Sequence, residues 1–406
     1  MSAPISVEDA LARIGAHSLP RETETIPVTA AAGRRLAAPV IAGLTQPPAA
    51  VSAMDGYAVR FADVQAPGAR LKVIGTAPAG QPFDGKVGPG EAVRIFTGGQ
   101  LPDGSDHIVI QEDTSRDGEA VLCQSAYTAP QFVRAAGIDF RKDEILIPAG
   151  KILSPAMLSL AAAANAATVE VERRLRIGIL ANGNELRPTG SVLAPGQIVN
   201  SNPAGLGALV AEWGGTPVDL GIAADSVESI LDKIQHADID IFLPVGGASV
   251  GDHDHMQTAF SQAGFEPVFS KIAVKPGKPT WFSRRNNQLA LGLPGNPASA
   301  LVCAHLFLKP LLTREFGLPV YPAVLTASLG ANGSREQFLR ASVHVSSDGT
   351  LCTAPLPNQD SSLLKPFLTA NALIRRTAGA AEERAGARVQ IILTAALNNT
   401  PAGPGT

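Results

Sequence analysis

Three apolar runs constrain this chain more than any other feature: residues 175–180, 239–244 and 289–293 are mainly apolar, Arg176 and Asp240 apart, without the sustained in-and-out alternation of a half-exposed strand. A strand that is apolar at successive positions is buried on both faces, as in a parallel sheet covered by helices. The segments between the runs read as those helices. Leu206, Leu209, Val210 and Trp213 keep the i, i+3, i+4, i+7 spacing, as do Val227, Ile230, Leu231 and Ile234, so each presents one apolar stripe. The alternation predicts an α/β domain, a parallel sheet between helical layers, over residues 173–318.

The 406 residues exceed one ordinary hydrophobic core, and the flanking segments have other textures. Ser6 caps a first helix reaching Ile14, with Val7, Ala10, Leu11 and Ile14 on one face. From 40 to 134, short apolar runs separated by Gly and Pro predict a β-rich region. Ser154 followed by Pro155 opens a second helix to about Ala167, expected to pack near the first. Beyond 318, short strands joined by turns predict a small β-barrel or sandwich, and the Pro- and Gly-bearing tail 398–406 is expected to be disordered.

Composition excludes several classes. Thirty-three Lys and Arg stand against 36 Asp and Glu, a net charge of −3, without the cationic excess of a general nucleic-acid binder. Cys123, Cys303 and Cys352 are far apart, which disfavours a disulfide framework or a cysteine zinc site and suits a reducing cytoplasm. Glu8 and Asp9 fall where a signal peptide needs its apolar stretch, and the Ala-rich run 158–167 is too short to span a bilayer. A soluble protein is expected.

In open parallel sheets, ligands bind beyond the carboxyl ends of the strands. Here the three runs lead into Ala181-Asn182-Gly183-Asn184-Glu185, into a Gly246 to Asp254 loop, and into Pro294-Gly295-Asn296-Pro297. Asn296 and Pro297 read as a helix start, with Ser299 in the first turn, where an anion could rest, though for this loop alone a plain helix start is the stronger reading. The 246–254 loop lacks P-loop spacing, but its glycines permit close approach to a phosphate, and Asp252 and Asp254 offer oxygens to Mg²⁺. His253 and His255 are two alternating imidazoles with no third zinc ligand nearby, and a solvated loop is the stronger reading. Lys275-Pro276-Gly277-Lys278-Pro279 places two ammonium groups on a proline-stiffened turn, an anion clamp. With Glu185, Asp225 and Asp254 nearby, the set suits a metal-bridged phosphate ester. Residues 52–58 and 94–99, by spacing alone, are hairpin turns.

Together these residues resemble the molybdopterin molybdenumtransferases, the MoeA and gephyrin E-domain family. The resemblance rests on SAMDGYA at 52–58, Thr97-Gly98, RAAGID at 134–139, Gly183-Asn184-Glu185, Asn200-Ser201-Asn202, GGASVGDHD at 246–254, KPGKP at 275–279, GLPGNPASA at 292–300, Gln359-Asp360-Ser361-Ser362, and Asn371-Ala372-Leu373.

The resemblance implies a multidomain α/β plus β architecture: a helical linker and dimerisation domain (1–40 and 135–172), a β-rich domain (41–134), a MogA-like three-layer α/β/α molybdopterin-binding domain (173–318) and a C-terminal β-barrel (319–397). It implies a homodimer that inserts molybdate into adenylylated molybdopterin with Mg²⁺, releasing AMP, and that can receive its substrate from a separate adenylyltransferase. Asp55 and Thr97 would act in trans. Glu185, Asp225 and Asp254 match the acidic, metal-holding positions; Lys275, Pro276, Pro279, Ser299, Arg340 and Ser361 match the molybdate-binding ones, with Ser362 as the alternative to Ser361, and Lys278 joins the catalytic set. Two residues depart from the pattern: Asn184 where a carboxylate is common, and Asp360 where glycine is common. A molybdopterin adenylyltransferase and a non-catalytic cofactor-binding scaffold are the competing readings.

Overall fold

The computed structural model describes residues 3–246 and 255–397. Asp252, His253, Asp254 and the 398–406 tail lie outside them. The α-helices of the described residues are α1 (Val7–Ala16), α2 (Pro155–Ala163), α3 (Asn202–Glu212), α4 (Val227–Gln235), α5 (His255–Gln262), α6 (Pro297–Cys303) and α7 (Lys309–Thr313). The chain forms two compact units, one of residues 1–21 with 174–406 and one of residues 22–173.

In the first unit the apolar runs become adjacent parallel strands. Ile241–Val245 lies between Arg176–Asn182 and Gln288–Gly292, and Thr216–Ala223 pairs with the far side of Arg176–Asn182. Side chains divide by parity. Ile241, Leu243 and Val245 share a core with Leu206 and Val210 of α3 and Ala300 and Val302 of α6. Phe242 instead meets Ile230 and Ile234 of α4 and Met256 and Phe260 of α5. Both faces are covered, which is why the runs do not alternate, and a buried side chain such as Phe242 contributes about 2–3 kcal/mol. Beyond these parallel strands, Trp281–Arg285 and Glu266–Phe269 extend the sheet with antiparallel pairings. Gly292 faces Trp281 there, and a Cβ at 292 would come within 2.0 Å of the indole.

Five strands close the barrel: Glu336–Val345, Leu351–Pro355, Val320–Leu325, Arg388–Leu393 and Ala372–Arg376, the last pairing back onto the first. Closure leaves no free edge within the ring. The short strand Val274–Lys275 joins it in parallel, Val274 opposite Glu336 and Lys275 opposite Gln337.

Helix α1 is capped as expected, Ser6 Oγ accepting the Asp9 N–H at 3.0 Å. Its packing differs from expectation. Val7, Ala10, Leu11 and Ile14 enter the core that holds Leu311 and Phe338, whereas α2 lies in the other unit against Val28, Leu36 and Ile147. An amphipathic stripe states that a helix is covered, not by what. The second helix also ends at Ala163 rather than Ala167, because Asn165 turns left-handed at φ 66° and the strand Thr168–Glu172 begins soon after. The helix expected over 298–308 breaks after Cys303 into a wider π-helical turn, Ala304–Leu308, before α7, where Pro310 offers no N–H.

In the second unit, a six-stranded sheet runs in the order His107–Ile110, Gly56–Val59, Glu91–Ile95, Arg70–Ala77, Ala120–Cys123 and Thr114–Asp117. Its 52–55 and 96–99 loops are tied by Gly98 N–H to Ser52 O and Ser52 N–H to Gly99 O, both 2.9 Å. Among the described residues no helix is long and apolar enough to cross a membrane.

Candidate functional site

The parallel strands deliver their loops to one end of the sheet, where a cleft of about 760 Å³ opens between Asn182, Glu185, Gly246, Pro279, Asn296 and Ser362. Glu185 lies two residues after Gly183, whose φ of 152° is a conformation that residues with a Cβ rarely adopt. Asn184 does not face this cleft. It lines an adjacent hollow of about 1090 Å³, and its Oδ1 accepts the Asp225 N–H at 3.2 Å. The Asn184 amide thus holds the Asp225 loop and takes no part in lining the Glu185 cleft.

The lysine turn is held from beneath. Lys275–Pro276 is a cis peptide and Gly277 has φ 112°. A Cβ on Gly277 would lie 2.3 Å from Cys303 Sγ of α6. Thr280, fully buried, donates its hydroxyl to the same sulfur at 3.4 Å and its N–H to Gly277 O at 3.0 Å. Burial pushes the Cys303 thiol up to about 12, so it is a packing group and not a nucleophile. Lys275 and Lys278 remain exposed on the turn, and Ser299 is buried in α6.

The barrel supplies the third wall. Arg340, 2% exposed, donates to the carbonyls of Leu363 (2.8 Å), Asn358 (3.2 Å) and Asp360 (2.8 Å). Burial pulls its guanidinium below the usual arginine value, partly offset by Asp360. Arg340 thus holds the 358–363 loop by its backbone. Asp360 is turned into that loop: Oδ1 accepts the Ser362 N–H at 2.8 Å and the Ser362 hydroxyl at 2.7 Å. Those bonds, with Arg340 assisting, hold its carboxyl below the usual carboxylate range.

At the helix start, Asn296 makes no side-chain cap, which corrects the expected role. Its Nδ2 donates to Ser361 Oγ at 2.8 Å, and the Ala298 N–H donates to Ser361 O at 3.1 Å. The expected anion seat at this helix end is in part taken by the chain itself.

Asp55 and Thr97 meet in the other unit. Thr97 donates its N–H at 2.7 Å and its hydroxyl at 2.8 Å to Asp55 Oδ1. These bonds, the backbone one foremost, hold Asp55 below the usual carboxylate range. What spacing alone reads as two hairpin turns is one bonded pair. Among the expected residues, then, Glu185 and Pro279 line one cleft with Ser362, while Ser361 and Arg340 stand behind its wall; Asp254 lies outside the described residues. Sequence reasoning misses Thr280 and Cys303, and gives Asn296 the wrong task, because their partners are remote in the chain.

Three family models tile the chain: the MoeA N-terminal region (domain I and II) over residues 5–165, a probable molybdopterin binding domain over 178–314, and the MoeA C-terminal region (domain IV) over 322–394. A molybdopterin molybdenumtransferase of Nostoc is 36% identical over 340 residues, 80% of this chain and 78% of the relative. That of Haemophilus influenzae is 33% identical over 365 residues, covering 87% and 90%. A crystal structure of a molybdopterin biosynthesis MoeA protein from Pyrococcus horikoshii superposes with a TM-score of 0.83 at 29% identity, over 97% of this chain and all of that one. Fold and site define a multidomain protein built around a molybdopterin-binding type of α/β/α domain. The chain belongs to the MoeA family, the molybdopterin molybdenumtransferases.

Proposed function

We propose that this protein is a molybdopterin molybdenumtransferase acting in molybdenum cofactor biosynthesis: it inserts molybdate into adenylylated molybdopterin and releases AMP. The observation that carries the reading is the meeting of Glu185, Pro279 and Asn296 in one cleft, at the strand ends of the segment matched by the molybdopterin-binding family. Beside it stands a rigidly seated turn bearing Lys275 and Lys278. Molybdate is a dianion and needs cations and N–H or O–H donors. The two ammonium groups supply charge.

Among the described residues no three His, Cys, Asp or Glu side chains gather into a metal cage. Mg²⁺ ordinarily takes one or two protein carboxylates and completes its shell with water and substrate phosphate. Glu185 offers one such carboxylate in the cleft, and Asp225 and Asp254, the latter outside the described residues, are the others that the family resemblance suggests. When bound, the metal would neutralise phosphate charge during attack on the adenylyl phosphorus. The protein's own part is to hold the pterin phosphate near the carboxylates and molybdate near the lysines. The family resemblance supports a cytoplasmic homodimer that can take its substrate from an adenylyltransferase.

The test is to incubate the protein with adenylylated molybdopterin, Mg²⁺ and molybdate, following AMP and molybdenum cofactor. Molybdate-dependent appearance of both products is expected, lowered at least roughly a hundredfold in Asp254→Ala and Lys275→Ala. Tight pterin binding without AMP would favour the scaffold reading, and ATP-dependent adenylylation of molybdopterin the adenylyltransferase.

A further inference from the structure

The segment that leads into the lysine turn is held on two sides. On one side Ile5 bridges Ile272 in parallel. Its N–H donates to Lys271 O at 3.2 Å, and its carbonyl accepts the Ala273 N–H at 2.7 Å. On the other side Val274 and Lys275 pair with Glu336 and Gln337 of the barrel, and the Glu336 N–H donates to Ala273 O at 3.0 Å. Ala273 thus bonds in both directions, its N–H to the N-terminal segment and its carbonyl to the barrel. Past the turn, Lys278 O accepts the Ile272 N–H at 3.1 Å. Val274 is fully buried and Lys275 is exposed, so the seating of this short segment fixes the base from which the Lys275 ammonium group extends.

The two flanks are fastened to each other by charge. Arg375 lies in the barrel strand Ala372–Arg376, which pairs with that of Glu336. Its Nε donates to Glu336 Oε1 at 2.5 Å, and its Nη2 bonds the Glu8 carboxylate in the first turn of α1, three residues after Ile5. One guanidinium fork therefore spans two carboxylates, a geometry that a single ammonium cannot reproduce. Glu336 is the buried partner, its side chain 11% exposed, and Glu8 is the open one at 61%. Burial raises the Glu336 carboxyl above its usual value and Arg375 opposes that shift. Glu8 and Ile5 lie on one short piece of chain that Ser6 caps. The interactions hence close a circuit: Ile5 to Ala273, Ala273 to Glu336, Glu336 to Arg375, Arg375 to Glu8, and Glu8 back along the chain to Ile5.

We infer that Arg375 is a positioning residue for the lysine turn: by bridging Glu336 and Glu8 it ties the N-terminal segment to the barrel, with residues 271–275 held between them, and so sets where Lys275 meets the anion. This rests on the proposed function, in which Lys275 attracts molybdate. Arg375 itself does not touch substrate. Its removal should raise the molybdate concentration needed for turnover more than it slows the saturated enzyme, and should matter only while Lys275 is present.

The experiment has two arms on the full chain. One varies molybdate at saturating adenylylated molybdopterin and Mg²⁺ and follows AMP. The other reads amide hydrogen exchange over 271–275, with the sheet strand 176–182 as reference. Arg375→Gln should raise the molybdate KM roughly tenfold with kcat within about twofold, and speed exchange over 271–275 but not over 176–182. Arg375→Lys, which keeps charge without the fork, should recover part of the loss. Glu8→Gln breaks the exposed half of the bridge and should raise KM roughly threefold. The Glu8→Gln/Arg375→Gln double variant should behave as Arg375→Gln does, and in a Lys275→Ala background Arg375→Gln should change kcat/KM by less than about twofold.

An unchanged KM, a fall confined to kcat, or losses that multiply with Lys275→Ala overturn the inference alone. A parent protein without molybdate-dependent turnover overturns the proposed function. The exchange arm then still decides the tie, faster exchange in Arg375→Gln sustaining it and unchanged exchange overturning it. Thermal unfolding of each variant separates a released segment from a lost fold, and Glu8→Gln, on the surface, keeps the test decisive should Arg375→Gln unfold.

Discussion

Two clasps of the same chemistry, one in each unit, differ in reach. In the β-rich sheet, Asp55 takes the N–H and hydroxyl of Thr97, 42 residues away. In the barrel loop, Asp360 takes the N–H and hydroxyl of Ser362, two residues away. Distances are alike and both carboxyls are held below their usual range for the same reasons. The first clasp fastens two separate strand ends; the second only shapes a turn that Arg340 already anchors. Identical local chemistry therefore has unequal consequences, set by the length of chain that each bond closes.

The largest effect expected is from removing the anchor of the short clasp. Arg340→Ala leaves three carbonyls without their donor and should lower unfolding stability by about 2–3 kcal/mol, with a matching fall in denaturation midpoint. An Arg340→Ala variant of parental stability would show that the loop holds itself.

A smaller effect separates the clasps directly. Thr97→Val removes the hydroxyl bond and keeps the backbone one, so the Asp55 carboxyl should move up while staying below its usual value. Ser362→Ala should do the same to Asp360. Carbon-detected NMR titration reads both. The melting midpoint should fall for Thr97→Val and stay put for Ser362→Ala, and equal falls would erase the distinction.

The smallest effect concerns acid. A carboxyl depressed in the folded state stabilises above its unfolded value of about 4, and that contribution is lost as pH falls through the lower, folded value. Asp55→Asn should therefore flatten the acid limb of the stability profile; Asp360→Asn should flatten it less only if the two-residue clasp persists in the unfolded chain and lowers its reference value too. The reverse order would count against the loop-length argument.

The sequence carried the buried strands and helical stripes well, because burial on two faces leaves a mark at every position. It carried the 281–285 strand poorly: Trp281, Phe282 and Ser283 are buried, but Arg284 and Arg285 run out to the edge and the pattern dissolves. At the site, KPGKP and the glycine-bounded Glu185 were legible as local chemistry. The role of Asn296 was not. Its side chain chose Ser361, 65 residues on, over the nearby helix end, and no local pattern encodes that preference. Asn184 and Asp360 looked like altered charge in a site, and both proved to be turned onto neighbouring backbone.

The pairing of Val274 and Lys275 with Glu336 and Gln337 has a consequence for biosynthesis. As the chain leaves the ribosome, the lysine turn emerges roughly 60 residues before the strand that braces it, and the ring containing that strand closes only with Arg388–Leu393. A nascent or prematurely terminated product can complete the covered sheet and still lack the brace, so the lysine turn should reach its final bracing among the last events of maturation.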